Sequence, residues 1–195
     1  EGRDSARMLV LAGEDTGTED GHDDRHVRDL PSLLRKGDCL VFNDTRVIPA
    51  QLEGTRGDAR IGATLHKRID LRRWQAFVRN SRRLKAGDRV DFGAGVTVLV
   101  EGKDEDGGVT LFFEGEEPVE LLLERAGTMP LPPYIAGKRP ADARDRADYQ
   151  TMFATRDGAV AAPTAALHFT PALMKRLRAA GIGTETLTLH VGAGT

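Results

Sequence analysis

Cysteine is nearly absent from this chain: Cys39 is the only one among 195 residues. A single thiol cannot close an internal disulfide, which fits a reducing compartment and excludes a disulfide-framed secreted fold. Cys39 falls in an apolar run and is expected to be a buried strand residue. Aromatics are scarce too, 5% of the residues with one tryptophan, so the core must be mainly aliphatic. No hydrophobic run approaches a membrane span and no leader pattern is visible, so a cytoplasmic location with no membrane partner is expected. Neither sign of charge prevails: 28 Lys and Arg against 30 Asp and Glu leave a net −2. The chain as a whole therefore lacks the basic excess of a general nucleic-acid binder. It also lacks an initiating methionine, and it stops at Thr195 inside a glycine-rich segment, as a piece of a longer chain would.

What is present is glycine, 22 residues of it, marking many turns. Between residues 53 and 113 short alternating segments recur at 60–66, 74–79, 89–92, 96–101 and 109–113. Glycine turns separate them, as at Ala86-Gly87-Asp88 and Asp106-Gly107-Gly108. This spacing suggests a small antiparallel barrel. Residues 34–42 and 84–92 echo each other weakly, which reads as two similar turn-to-strand entries. Residues 118–125 form a helix stopped by Gly127, residues 129–140 a proline-rich loop, and residues 142–153 a charged helix. The expected fold is α/β, a mixed sheet with flanking helices, carrying an inserted small antiparallel β-barrel. The divisions are 1–52 and 129–195 for the α/β domain and 53–128 for the barrel.

The C-terminal third carries the sharpest local signals. Thr170 is a good N-cap, Pro171 suits the first helical position, and Phe169 can staple onto Met174. Gly181 supplies a left-handed C-terminal cap, with Ile182 packing back on Leu177. Residues 158–162 read as a short buried strand before this helix. Residues 184–191 alternate after it, with Leu187, Leu189 and Val191 facing one way. Strand, helix and strand make a βαβ unit. That unit would bring His168 and His190 to one edge of one sheet, where open α/β sheets bind ligands.

Both histidines are candidate acid/base groups, and each also has a plain structural reading. Metal binding is not expected, because neither sits in a ligand-spaced pair and no cysteine is near. Gly192 and Gly194 permit close backbone approach or form a simple turn. Asn43-Asp44-Thr45-Arg46 is dense in hydrogen-bonding groups after an apolar strand, either as a ligand loop or as an Asx-type turn. A basic strip runs from Lys67 to Arg89 with Trp74 and Phe77 inside it. It is either a phosphate-binding strip or a solvated barrel face.

Several segments together resemble a known family. They are Asp38-Cys39-Leu40-Val41-Phe42-Asn43-Asp44-Thr45-Arg46-Val47-Ile48-Pro49-Ala50, Ser81-Arg82-Arg83-Leu84-Lys85-Ala86-Gly87-Asp88, Met129-Pro130-Leu131-Pro132-Pro133-Tyr134-Ile135, Tyr149-Gln150-Thr151, and residues 159–170 and 189–195. In this order they resemble the S-adenosylmethionine:tRNA ribosyltransferase-isomerase family of queuosine biosynthesis. The resemblance implies transfer and isomerisation of the ribosyl group of S-adenosylmethionine onto 7-aminomethyl-7-deazaguanine at the tRNA wobble position. Epoxyqueuosine-tRNA forms, and adenine and methionine leave. S-adenosylmethionine is then a consumed substrate, no cofactor is needed, and tRNA is the partner of a monomer.

On this resemblance His168 is the expected acid/base, with His190 a second candidate or an orienting group. Thr164, Gly192 and Gly194 would contact the nucleoside or methionine portion. Asn43, Asp44, Thr45, Arg46 and Tyr134 would bind substrate, and Arg82, Arg83 and Lys85 RNA phosphate. Three positions depart from the family pattern: Ala166 replaces a usual glycine, Asn80 a usual proline, and Gly62 a common acidic residue. The family also extends before Glu1 and beyond Thr195. A non-catalytic RNA-binding module and a transferase with another acceptor remain the alternatives.

Overall fold

The computed structural model describes residues 2–11, 22–104, 107–139, 141–142 and 144–191, with the side chains of Pro133 and Tyr134 left out. Residues 13–24, acidic and glycine-containing, read in sequence as an exposed hairpin loop or turn, but strands β1 (Arg7–Leu11) and β2 (His22–His26) pair antiparallel, so strand begins at His22, inside that span. The rest of that loop lies outside the described residues. A short helix α1 (Leu30–Leu33) leads to β3 (Cys39–Asn43) and β4 (Thr45–Val47), nearly continuous with each other.

Six strands then close the expected barrel: β5 (Gln51–Arg56), β6 (Ala59–Arg68), β7 (Arg73–Arg79), β8 (Arg89–Asp91), β9 (Thr97–Lys103) and β10 (Gly108–Phe113). Its order is β10-β7-β6-β5-β8-β9, with every pair antiparallel. Period-2 alternation sends Leu52, Ile61, Ala63, Leu65, Val98 and Leu111 inside, all buried. Removing one such side chain, as in Leu65→Ala, costs about 2–5 kcal/mol.

The echoed turns are built alike. Asp38 Oδ2 accepts from the Arg35 amide and Asp88 Oδ2 from the Lys85 amide, each at 2.7 Å. Gly37 and Gly87 both take a left-handed φ there.

After the barrel come α2 (Val119–Ala126), α3 (Pro133–Ala136) and α4 (Asp145–Asp148). Helix α2 buries Val119, Leu122 and Leu123 against the barrel core. The charged segment 142–153 is helical only in α4, shorter than its composition suggested. Asp145 explains the short turn: its carboxylate accepts from Arg139 at 2.6 Å and 2.7 Å and from the Asp142 amide at 2.7 Å. The Arg139 guanidinium holds the Asp145 carboxyl down at about 2.

Strand β11 (Arg156–Ala159), helix α5 (Pro171–Ala179) and strand β12 (Gly183–Leu187) complete the chain. Helix α5 follows its local signals. Thr170 Oγ1 accepts from the Leu173 amide at 3.1 Å, Gly181 has φ 79°, and Ile182 is buried with Leu177. Leu173, Met174 and Leu177 form its buried stripe, beneath which Phe42 stacks on Phe153 with centroids 4.0 Å apart.

The βαβ expectation needs correction. The strands flanking α5 form no ladder with each other: β11 pairs parallel with β4 and β12 pairs parallel with β3. One bond from the Val160 amide to the Val191 carbonyl, 3.0 Å, joins their continuations. The β12 side of the layer is open, with Val41, Leu187 and Leu189 exposed. Cys39 is exposed as well, not buried, because it begins β3 on that open face.

Candidate active site

The β4–β11 ladder sets Arg46 opposite Asp157, with the guanidinium 3.7 Å from the carboxylate. One residue further the register shifts, and Gly158 takes φ 133°. A β-carbon placed there would stand 2.8 Å from the His190 ring. The imidazole therefore lies directly against the glycine backbone, and both its contact and its conformation require glycine.

His190 faces a cavity of about 510 Å³ between the α/β layer and the barrel. Ile48, Asp157 and Gly158 complete the layer side; His66, Lys67, Arg68 and Trp74 form the barrel wall, and Glu120 of α2 closes one end. An adjoining cavity of about 430 Å³ shares Ile48, Glu120 and Asp157 and adds Arg46 and Gln150. The two form one groove holding two imidazoles, three carboxylates and guanidinium groups, enough for proton transfer beside a charged ligand.

Asn43 and Asp44 act on this groove indirectly. The Asn43 amide bonds both polar atoms of the Leu189 backbone, donating at 2.8 Å and accepting at 3.1 Å. It thus continues the β3–β12 ladder one step toward His190. Asp44 is buried and accepts from the Thr188 hydroxyl at 2.7 Å and the Thr155 hydroxyl at 3.3 Å. Asn43, Asp44 and the Val160–Val191 bond hold the His190 segment from three directions. Gln150 plays the same part elsewhere, pairing its side-chain amide with both the Val47 amide and carbonyl. Of the tetrad, Thr45 is buried and Arg46 alone is exposed on the groove.

The structure does not bring His168 to this groove. Residues Thr164–His168 form a 3-10 turn that carries the chain away from β11. His168 Nδ1 donates to the Arg3 carbonyl at 3.3 Å, in a separate surface pocket with Leu167 and the N-terminal residues. Arg3 in turn donates to the carbonyls of Ala147, Asp148 and Gln150. Thr164 is exposed at the start of the turn. Gly192, Gly194 and the side chain of Tyr134 lie outside the described residues.

The three departures have local explanations. Ala166 has no positive φ, and its methyl is buried in the α5 core. Asn80 has φ 64°, which proline cannot adopt, and its amide donates to the Arg60 carbonyl at 3.0 Å. Gly62 lies in register between Glu53 and Arg79, whose ion pair of 2.6 Å crosses over it.

The basic strip divides in two. Arg68, Arg73, Arg79 and Arg89 pair with Glu120, Glu101, Glu53 and Glu114, and Arg72 donates to the Phe113 carbonyl. The exposed side chains of Arg82, Arg83 and Lys85 have no ion pair among the described residues. Lys103 joins them by donating to the Ser81 carbonyl at 2.5 Å.

Nothing in the local sequence singles out His66, Glu120 or Asp157, and Trp74 stands out only as an aromatic inside the strip. His66 gives no signal of its own, because it keeps the polar phase of β6 with Arg60 and Thr64. No group of three or more possible metal ligands occurs among the described residues, and none of their helices is long and apolar enough to cross a membrane.

A closed antiparallel barrel set on a mixed α/β layer, with a titratable groove between them, defines the architecture. Residues 1–195 match the family model described as queuosine biosynthesis protein, and the chain belongs to that family. It is 73% identical over 193 residues to the S-adenosylmethionine:tRNA ribosyltransferase-isomerase of Rhizorhabdus wittichii, covering 99% of this chain and 55% of the relative. For the protein of the same name from Novosphingobium aromaticivorans the identity is 72%, with the same coverage. A crystal structure of S-adenosylmethionine tRNA ribosyltransferase from Thermotoga maritima is 27% identical, covers 97% of this chain and 52% of that one, and has a TM-score of 0.38. The chain spans about half the length of the curated relatives it matches.

Proposed function

We propose that the protein containing this chain is an S-adenosylmethionine:tRNA ribosyltransferase-isomerase. It transfers and isomerises the ribosyl moiety onto 7-aminomethyl-7-deazaguanine in tRNA, giving epoxyqueuosine-tRNA, adenine and methionine. The observation that carries this reading is the likeness of nearly the whole chain to relatives of that name.

The groove is the reaction site in this reading. A base removes a proton beside the sulfonium, adenine departs, and the exocyclic amine attacks the anomeric carbon. His190 takes the acid/base role, because it lines the groove and is braced by Asn43, Asp44 and Gly158. His168, in its separate pocket, braces the N-terminal segment. Asp157 and Glu120 offer negative charge near the sulfonium, and Arg46 orients Asp157. Arg82, Arg83 and Lys85 meet RNA phosphate, since they are exposed and form no ion pair among the described residues of a chain of net −2. S-adenosylmethionine is consumed, no further cofactor takes part, and the protein works as a cytoplasmic monomer.

The test is to incubate the full-length protein with S-adenosylmethionine and tRNA bearing the precursor base and to measure free adenine. Adenine released in step with epoxyqueuosine is expected. RNA binding without adenine, on a competent tRNA, would instead support a non-catalytic RNA-binding protein.

A further inference from the structure

Two residues that line the groove from the barrel side each carry a buried nitrogen with no hydrogen-bond partner among the described residues: His66 Nε2 and Trp74 Nε1. Buried polar atoms are nearly always paired, and each orphan costs about 1–3 kcal/mol. Trp74 is only 3% exposed, so solvent offers its N–H little relief. Thr45 and Arg72 also carry an orphaned atom, but neither lines this groove.

The wall is built to hold both rings. The β6–β7 register slips between Leu65 and Lys67, so His66 is the extra residue of a bulge, a device that re-aims a side chain. Its ring stacks on Phe77 with centroids 4.3 Å apart and planes at 20°. Trp74 is fixed in the barrel core, with the Arg68 guanidinium 6.0 Å from its ring centre and itself tied to Glu120 at 3.0 Å.

We propose that His66 and Trp74 form a subsite for the hydrogen-bonding edge of a purine-type base, Trp74 Nε1–H donating and His66 Nε2 accepting. A purine edge carries both acceptor and donor atoms, which matches one donor and one acceptor in chemistry. A cavity of about 510 Å³ suits a nucleoside-sized ligand. Accepting requires a neutral imidazole, and burial pulls the His66 pKa below its ordinary value, with Asp104 opposing and Lys67 assisting. The subsite rests on the proposed reaction for its two sources of such an edge, the adenine of S-adenosylmethionine and the deazaguanine of tRNA.

Two conservative variants of the full-length protein test it. Trp74→Phe keeps the aromatic core and deletes the N–H; His66→Phe keeps the stack on Phe77 and deletes the acceptor. S-adenosylhomocysteine, which is not consumed, is titrated by calorimetry, and the KM for precursor tRNA is read from adenine release. Each variant is expected to weaken one of the two by about 5- to 30-fold with little change in Tm. Loss of S-adenosylhomocysteine affinity assigns the edge to adenine; a raised tRNA KM assigns it to the acceptor base. A wild-type protein that binds S-adenosylhomocysteine but releases no adenine would refute the reaction, leaving the titrations to judge the subsite. Folded variants with both values within twofold of wild type would overturn the subsite, as would a wild type that binds neither.

Discussion

His168 and His190 look alike in the sequence, each beside small residues at the end of an extended segment. The structure separates them. His190 rests on Gly158 in a cavity lined by Glu120 and Asp157, and backbone and side-chain bonds brace it on several sides. His168 ends a 3-10 turn and bonds one backbone carbonyl of the N-terminal segment. A histidine's surroundings, more than its neighbours in sequence, decide whether it faces chemistry.

The largest effect expected from that contrast is in turnover. His190→Gln should slow adenine release by about 100-fold or more, the range of a lost general acid or base. His168→Gln should change it by less than about 3-fold. Equal losses in two folded variants would erase the distinction. Next comes Gly158→Ala, which drives a methyl into the imidazole at a strained φ. It should cut kcat by about 10- to 100-fold while leaving tRNA affinity nearly unchanged, since misplacement of about 1 Å carries that penalty.

A smaller effect belongs to the barrel. Replacing Arg82 and Arg83 by Ala should raise the KM for tRNA and lower the salt slope by about 1 for each phosphate no longer neutralised. Binding of S-adenosylhomocysteine should stay as in wild type. An unchanged salt slope would make the exposed arginines a solvated face.

The smallest effect concerns stability alone. The Asp145 carboxyl sits at about 2, below its unfolded value near 3.9, because Arg139 and the Asp142 amide hydrogen-bond its charged form. Its contribution is therefore full above the unfolded value and is lost as pH falls through about 2. Asp145→Asn should lower Tm at pH 6, and the gap should narrow toward pH 2. A pH-independent gap would mean the pair contributes no ionic stabilisation.

The sequence disclosed what local rules control. Helix α5 followed from Thr170, Pro171 and Gly181, and the barrel from alternation and glycine turns. It did not disclose what depends on contacts between distant residues. The tetrad read as a ligand loop or an Asx-type turn; Asn43 Oδ1 does accept from the Thr45 amide at 3.2 Å, but Asn43 and Asp44 also reach Leu189, Thr188 and Thr155, more than a hundred positions away. His66 enters the groove through a bulge, and a one-residue slip leaves no mark on composition. Cys39 looked buried because its neighbours are apolar, but the face it shares with Val41 is open.

The most direct measurement is a crystal structure of the full-length protein with S-adenosylhomocysteine. The ligand is expected in the groove between His190 and the barrel wall of His66 and Trp74. A ligand seated instead beside His168, against the backbone of Arg3, would contradict the assignment of that groove as the reaction site.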